Sequence, residues 1–156
     1  MTIPKNSTNR NLIIQLFRDL IKSHSDYTVY YTDASKTDNG VRVAIINSTE
    51  ILKHRIPDTA TILTGELYAI YQAILHANAN TMNKLLIVTD SMSSLPTIRK
   101  IYTQHPLALL IKEELNKLHT KDISIKFLWV PSHVGIAGNE AVVKEALIDN
   151  CVPISP

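Results

Sequence analysis

Apolar positions along this chain change period several times, and each change marks an element. Tyr27–Ser35 opens on β-branched and aromatic residues, Tyr-Thr-Val-Tyr-Tyr-Thr, which suits a strand packed on both faces, and the run stops on Asp33. Small and polar residues then lead to Asn39-Gly40, a strong hairpin signal. Val41, Val43 and Ile45 alternate with Arg42, Ala44 and Ile46, and after an Asn47-Ser48-Thr49 turn a second alternation runs over Glu50–Ile56 to Pro57. Three strands in an antiparallel meander are predicted. Ahead of them, Leu12, Ile13, Leu16, Phe17 and Leu20 have helical spacing within Leu12–Lys22. That helix either links to an upstream domain or packs on the core edge; Met1–Asn11 reads as a polar leader.

Beyond Pro57 the period becomes helical. Leu63, Leu67, Ile70, Ile74 and Ala77 share one face of Thr61–Asn80, with Thr61 or Thr64 as the cap and Glu66 near the first turn. Lys84–Thr89 is a continuous apolar run of strand length that ends on Asp90. A helix is expected over Ser91–Tyr102, with Pro96 tolerated near its start, and an amphipathic helix over Pro106–His119 carrying Leu107, Leu110, Ile111, Glu114 and Leu118. Ser124–Val130 reads as a strand closed by Pro131-Ser132-His133. Gly135–Asn139 reads as a loop and Glu140–Asp149 as a helix. Strands joined by helical crossovers predict an α/β fold, its sheet part antiparallel and part parallel, with helices on its faces. The expected organisation is a leader or linker over residues 1–26, one domain over 27–150 and a tail over 151–156.

Composition narrows this picture without changing it. The chain has 156 residues, 45% hydrophobic and 19% charged, which suits one soluble domain with its own core. The only cysteine is Cys151, so an intrachain disulfide is excluded, and a reducing, intracellular location in cytoplasm or nucleus is expected. No apolar run approaches the roughly 20 residues of a membrane span, and the N-terminus lacks a signal peptide's apolar segment. A formal charge of +2 is too small to name a nucleic-acid partner.

The chemistry lies in three acids. Asp33 and Asp90 each end a strand of buried type, where ligands of open α/β sheets gather, and Glu66 begins the helix between them. Brought together, the three repel one another unless a cation sits among them, and hard cations such as Mg²⁺ take carboxylate and phosphate oxygens. Two ions roughly 3.5–4 Å apart serve phosphodiester hydrolysis in such sites. The plainer reading of any one acid is a turn or cap; Asp90 before Ser91 would cap the next helix.

Four segments occur in order: Tyr31-Thr32-Asp33-Ala34-Ser35, Thr64-Gly65-Glu66-Leu67-Tyr68-Ala69-Ile70, Val88-Thr89-Asp90-Ser91 and Trp129-Val130-Pro131-Ser132-His133-Val134-Gly135-Ile136-Ala137-Gly138-Asn139-Glu140. Together they resemble the ribonuclease H family, and most of all the ribonuclease H domains of non-LTR retrotransposon polyproteins, over about Tyr27 to Asn150. The resemblance implies a mixed five-stranded sheet, order 3-2-1-4-5 with the first three strands antiparallel, flanked by helices. It implies endonucleolytic hydrolysis of the RNA strand of RNA–DNA hybrids with two Mg²⁺ ions, Mn²⁺ being an alternative. By position, Asp33, Glu66 and Asp90 match the family's first three metal ligands, with Asp33 shared by both ions. Glu66 also matches an acceptor for a ribose 2′-hydroxyl. His133 matches a loop histidine that helps product leave or shuttles protons; its plainer reading is a surface histidine. Asn39 matches a minor-groove contact, though a turn residue needs no ligand there. Thr61 matches a DNA-phosphate contact, though a helix-entry residue explains it equally.

One position departs. The family carries a fourth carboxylate three residues after the Glu of Gly-Asn-Glu, and here that residue is Val143. Valine cannot ligate a cation, so a weakened second metal and reduced or lost activity are expected; Glu140, on a similar helix side, is a poor substitute. The competing function is a catalytically silent hybrid-binding or scaffold domain of a retroelement polyprotein. Expected partners are an RNA–DNA hybrid and an upstream reverse transcriptase domain, with no membrane, and the isolated domain is expected to be a monomer. Trp129 reads as core, although family members place an aromatic there beside the active site.

Overall fold

The structure is a computed structural model that describes residues 7–131 and 152–153. In chain order it contains α1 (Ser7–Ser23), β1 (Thr28–Thr37), β2 (Gly40–Ile46), β3 (Ile51–Ile56), α2 (Ile62–Ala79), β4 (Lys84–Thr89), α3 (Ser94–Arg99), α4 (Pro106–Thr120), β5 (Ser124–Trp129) and β6 (Val152–Pro153). His133, Val143 and the helix expected over Glu140–Asp149 lie outside the described residues.

One sheet runs in the order β5-β4-β1-β2-β3-β6. β1, β2 and β3 are antiparallel neighbours, and β1, β4 and β5 are parallel. The five longer strands therefore follow the expected 3-2-1-4-5 order. β6 is an addition to that expectation: Val152 and Pro153 pair in parallel with His54 and Arg55, where the sequence reading has only a tail. An edge strand offers unpaired backbone groups, and a proline is tolerated there because it need not donate inward.

The main core lies between the sheet and α2 with α4. Leu67, Ile70, Ile74 and Ala77 are buried as the helical period predicts, facing Tyr30, Val41, Val43, Ile45, Leu85 and Ile87. On α4, Ala108, Ile111 and Leu118 are buried, whereas Leu110 is exposed, a correction to the expected face. A second cluster lies on the other side of the sheet. There Ile13 of α1 is buried with Leu86, Val88 and Val130, and Phe17 and Ile21 pack beside it. α1 is thus a packed element, and of the two expected roles the structure displays the packing one.

α3 is shorter than expected, six residues in place of Ser91–Tyr102. Proline has no N–H to return to residue i−4, so Pro96 must sit in the first turn and the chain before Ser94 forms a turn. Lys100 then takes an extended ψ of 129° and stops the helix.

Candidate active site

Register brings the acids together. The parallel β1–β4 ladder ends with Thr32 opposite Thr89, so Asp33 and Asp90 each follow the last paired residue on adjacent strands. On its other side Asp33 pairs with Ala44 of β2. Side chains alternate along a strand, so equal steps from one pair keep the two acids level.

Glu66 arrives from α2. Thr61 caps that helix, its hydroxyl oxygen accepting the Thr64 N–H at 3.1 Å. The next residue, Gly65, faces the sheet, and a Cβ there would lie 2.5 Å from Val41 Cγ1 and 3.0 Å from Ala34 Cβ. Only glycine lets the backbone come this near, and Glu66 is carried in with it. The result is a carboxylate oxygen from each of Asp33, Glu66 and Asp90, all within 4.8 Å of one another.

The environment is hostile to bare charge. Asp33 and Glu66 are each only 6% exposed. Burial first, and then the Asp90 charge, pushes the Asp33 carboxyl up to about 7. Burial, then Asp33 and Asp90, pushes Glu66 up to about 9. Both take relief from the Ala34 N–H, which is too little to reverse the rise. Glu66 Oε2 is buried with no hydrogen-bond partner. An orphaned carboxylate oxygen costs about 1–3 kcal/mol or more, and a cation removes that cost. The donor set, all oxygen and all acidic, fits a hard divalent ion such as Mg²⁺.

The remaining sequence candidates sit as follows. Asn39 is exposed at the β1–β2 turn, its N–H donating to Thr37 Oγ1 at 3.3 Å. Thr61 is exposed at the N-terminus of α2, close to the start of α4. His105 Nδ1 accepts the Leu107 N–H at 3.2 Å, so in the neutral ring Nε2 bears the proton and donates to Thr64 Oγ1 at 3.2 Å. The Thr64 and Thr61 hydroxyls share a hydrogen bond at 2.9 Å. Two helix N-termini meeting at such hydroxyls favour an anion.

Sequence reasoning missed the reason for one contributor and the contact of a second. Gly65 stood in a quoted motif without its reason, which is steric and becomes visible only once α2 is laid on the sheet. Trp129 reads as core, with the resemblance implying an aromatic beside the active site; its ring packs on the core and its indole N–H donates to the Asp90 carbonyl at 3.2 Å. An indole at the end of a strand next to the acid-bearing one was the available signal.

A mixed sheet of this order, with acids at the ends of two parallel neighbours and a third on the crossover helix, defines an α/β protein with a cation-ready carboxylate cluster. A family model described as RNase H matches residues 25–147, most of the chain, and the protein belongs to the RNase H family. It is 30% identical to human ribonuclease H1 over 142 residues, covering 79% of this chain and 50% of that protein. It is 31% identical to the Pol polyprotein of Ovine maedi visna related virus (strain South Africa) over 128 residues, 81% of this chain and 11% of that protein. Mouse ribonuclease H1 is 29% identical over 97 residues. The chain thus spans half the length of human ribonuclease H1 and a small part of the viral polyprotein.

Proposed function

We propose that this chain hydrolyses the RNA strand of RNA–DNA hybrids, cutting internally and leaving a 5′-phosphate and a 3′-hydroxyl. The observation that carries the reading is the convergence of Asp33, Glu66 and Asp90 to within 4.8 Å, with Asp33 and Glu66 buried. Asp33, Glu66 and Asp90 would hold two divalent ions, Mg²⁺ or Mn²⁺, with Asp33 shared. When bound, such ions supply activation of the attacking water and stabilisation of charge at the leaving oxygen.

The chain's own residues do the rest. Glu66 accepts from a ribose 2′-hydroxyl, which DNA lacks, and so selects the RNA strand. Asn39, exposed at its turn, faces the minor groove. Thr61, exposed at the start of α2, contacts a phosphate of the DNA strand and fixes register without reading sequence. His133 takes up or returns a proton at a ring nitrogen, a task suited to a group titrating near neutrality. Membership of a retroelement of the non-LTR type, with a reverse transcriptase domain upstream, rests on the four segments between Tyr31 and Glu140; similarity to a viral Pol polyprotein supports the retroelement link and not the non-LTR type. No helix among the described residues is long and apolar enough to cross a membrane.

The test is cleavage of a labelled hybrid with Mg²⁺ or Mn²⁺. Activity no greater than that of Asp33→Asn would sink the enzyme reading and leave a silent binding domain. Val143 sets the rate expected: Val143→Asp should raise cleavage at limiting Mg²⁺ by about tenfold or more, one carboxylate contact to a cation being worth upward of 1.4 kcal/mol.

A further inference from the structure

The β4–β5 ladder closes with Thr89 opposite Trp129 and with the Val130 N–H donating to the Thr89 carbonyl at 2.9 Å. The next carbonyl, that of Asp90, lies past the ladder. Trp129 takes it with a side chain instead of a backbone group, the indole Nε1–H donating at 3.2 Å. The other end of the same peptide plane is held as well: the Ser91 N–H donates to Thr89 Oγ1 at 3.1 Å, and Thr89 is fully buried. A peptide held at both its C=O and its N–H cannot turn, so the direction in which the Asp90 side chain leaves the main chain is fixed.

That restraint has a purpose at this site. Asp33 and Glu66 are buried carboxyls beside Asp90, and like charges in a dry site push apart. Asp90 is the least buried of the three, and its side chain shares a hydrogen bond with Asp33. Trp129 also lines, with Phe127, Leu95, Pro96, Met92 and Arg99, a cavity of about 260 Å³ between α3 and β5, and it packs against the main core.

We propose that Trp129 is a positioning residue of the cation site: its N–H holds the Asp90 carbonyl so that the Asp90 carboxylate stays aimed at Asp33 and Glu66. The inference rests on the cation-binding reading above. A purely structural indole, satisfying its N–H on the nearest carbonyl, would affect stability and leave metal affinity alone.

The experiment compares the full chain with Trp129→Phe, which keeps an aromatic ring and removes the donor, by calorimetric titration with Mg²⁺ alone. One neutral hydrogen bond is worth about 0.5–1.5 kcal/mol, so Mg²⁺ affinity should fall by about 2–12-fold while the variant stays folded by circular dichroism. The kcat for hybrid cleavage should fall with it and KM for the hybrid should hold, because the proposed action of Trp129 runs through Asp90. Should Trp129→Phe fail to fold, incorporation of benzothienylalanine at 129, which places sulfur at the N–H position, makes the same comparison. Trp129 is the only tryptophan, so wild-type emission should shift over the Mg²⁺ range that calorimetry reports. Unchanged Mg²⁺ affinity in a folded variant, or emission indifferent to bound Mg²⁺, overturns the role of Trp129. Failure of the wild-type chain to bind Mg²⁺ overturns the cation reading itself.

Discussion

At the scale of single residues, the site is defined by what it costs without a cation. Asp33 and Glu66 have folded values near 7 and near 9, both above the ordinary carboxylate range. A raised carboxyl means that the folded state keeps protons the unfolded chain has released. Its contribution to stability is therefore full below about pH 4 and is lost as pH rises through 7 and then 9. Metal-free protein should melt at progressively lower temperature from pH 6 to pH 9, and added Mg²⁺ should raise the melting temperature most at the alkaline end, where Asp33 is charged and Glu66 is losing its proton. Scanning calorimetry with and without Mg²⁺ measures both trends; a Mg²⁺ increment independent of pH would contradict them. Glu66→Gln separates cost from function. It should stabilise the metal-free fold at pH 9 by about 1–3 kcal/mol, since an amide needs no counter-ion, and abolish hybrid cleavage.

At the scale of elements, the site depends on how closely α2 lies on the sheet. Gly65 sits against Val41 and Ala34, and both are buried. Val41 is β-branched with a stiff χ1, so it cannot swing aside for a new methyl. Gly65→Ala should cost about 1–3 kcal/mol by overpacking, despite alanine's better helix propensity. Because the helix must lift where Glu66 leaves it, cleavage should fall by more than the loss of folded protein explains; urea melts beside a cleavage assay read the two effects apart. The other end of α2 is tied down differently. Tyr30, buried on β1, shares a 2.5 Å hydrogen bond with His76 Nδ1, and His76 Nε2 meets Glu50 at 2.5 Å. Strand, helix and β2–β3 turn are joined there, at the far end of the helix from Glu66.

At the scale of the whole molecule, the sheet is covered on both sides. α2 and α4 cover one face and α1 packs on the other, through Ile13, 3% exposed, against Leu86, Val88 and Val130. Those residues belong to β4 and the end of β5, the strands that carry Asp90 and Trp129. Ile13→Ala should destabilise by about 2–5 kcal/mol, as for other large-to-small changes at buried aliphatics. Loss of less than about 0.5 kcal/mol in a urea melt would mean that α1 adds nothing to this core. Within the same frame, the cation cluster lies at the carboxyl ends of β1 and β4, while Lys84 and Lys126, at the start of β4 and within β5, flank Tyr27, with Lys84 paired to Asp26. Small net charge therefore hides a polarity along the strands.

Much of this was legible in the chain. Period-2 runs gave the meander, period-3.6 runs gave α2 and α4, and three acids, two ending apolar strands and one early in the helix between them, pointed together to a cation, because mutually repelling carboxylates are costly to gather without one. Those signals are local, and local patterning suffices to fix which residues turn inward. What the chain could not disclose depends on neighbours distant in sequence. The length of α3, the exposure of Leu110, the β6 pairing, the steric need for Gly65 and the hold of Trp129 on Asp90 each arise only when separate elements meet. Packing distance and hydrogen-bond partners are properties of that meeting, and no single stretch encodes them.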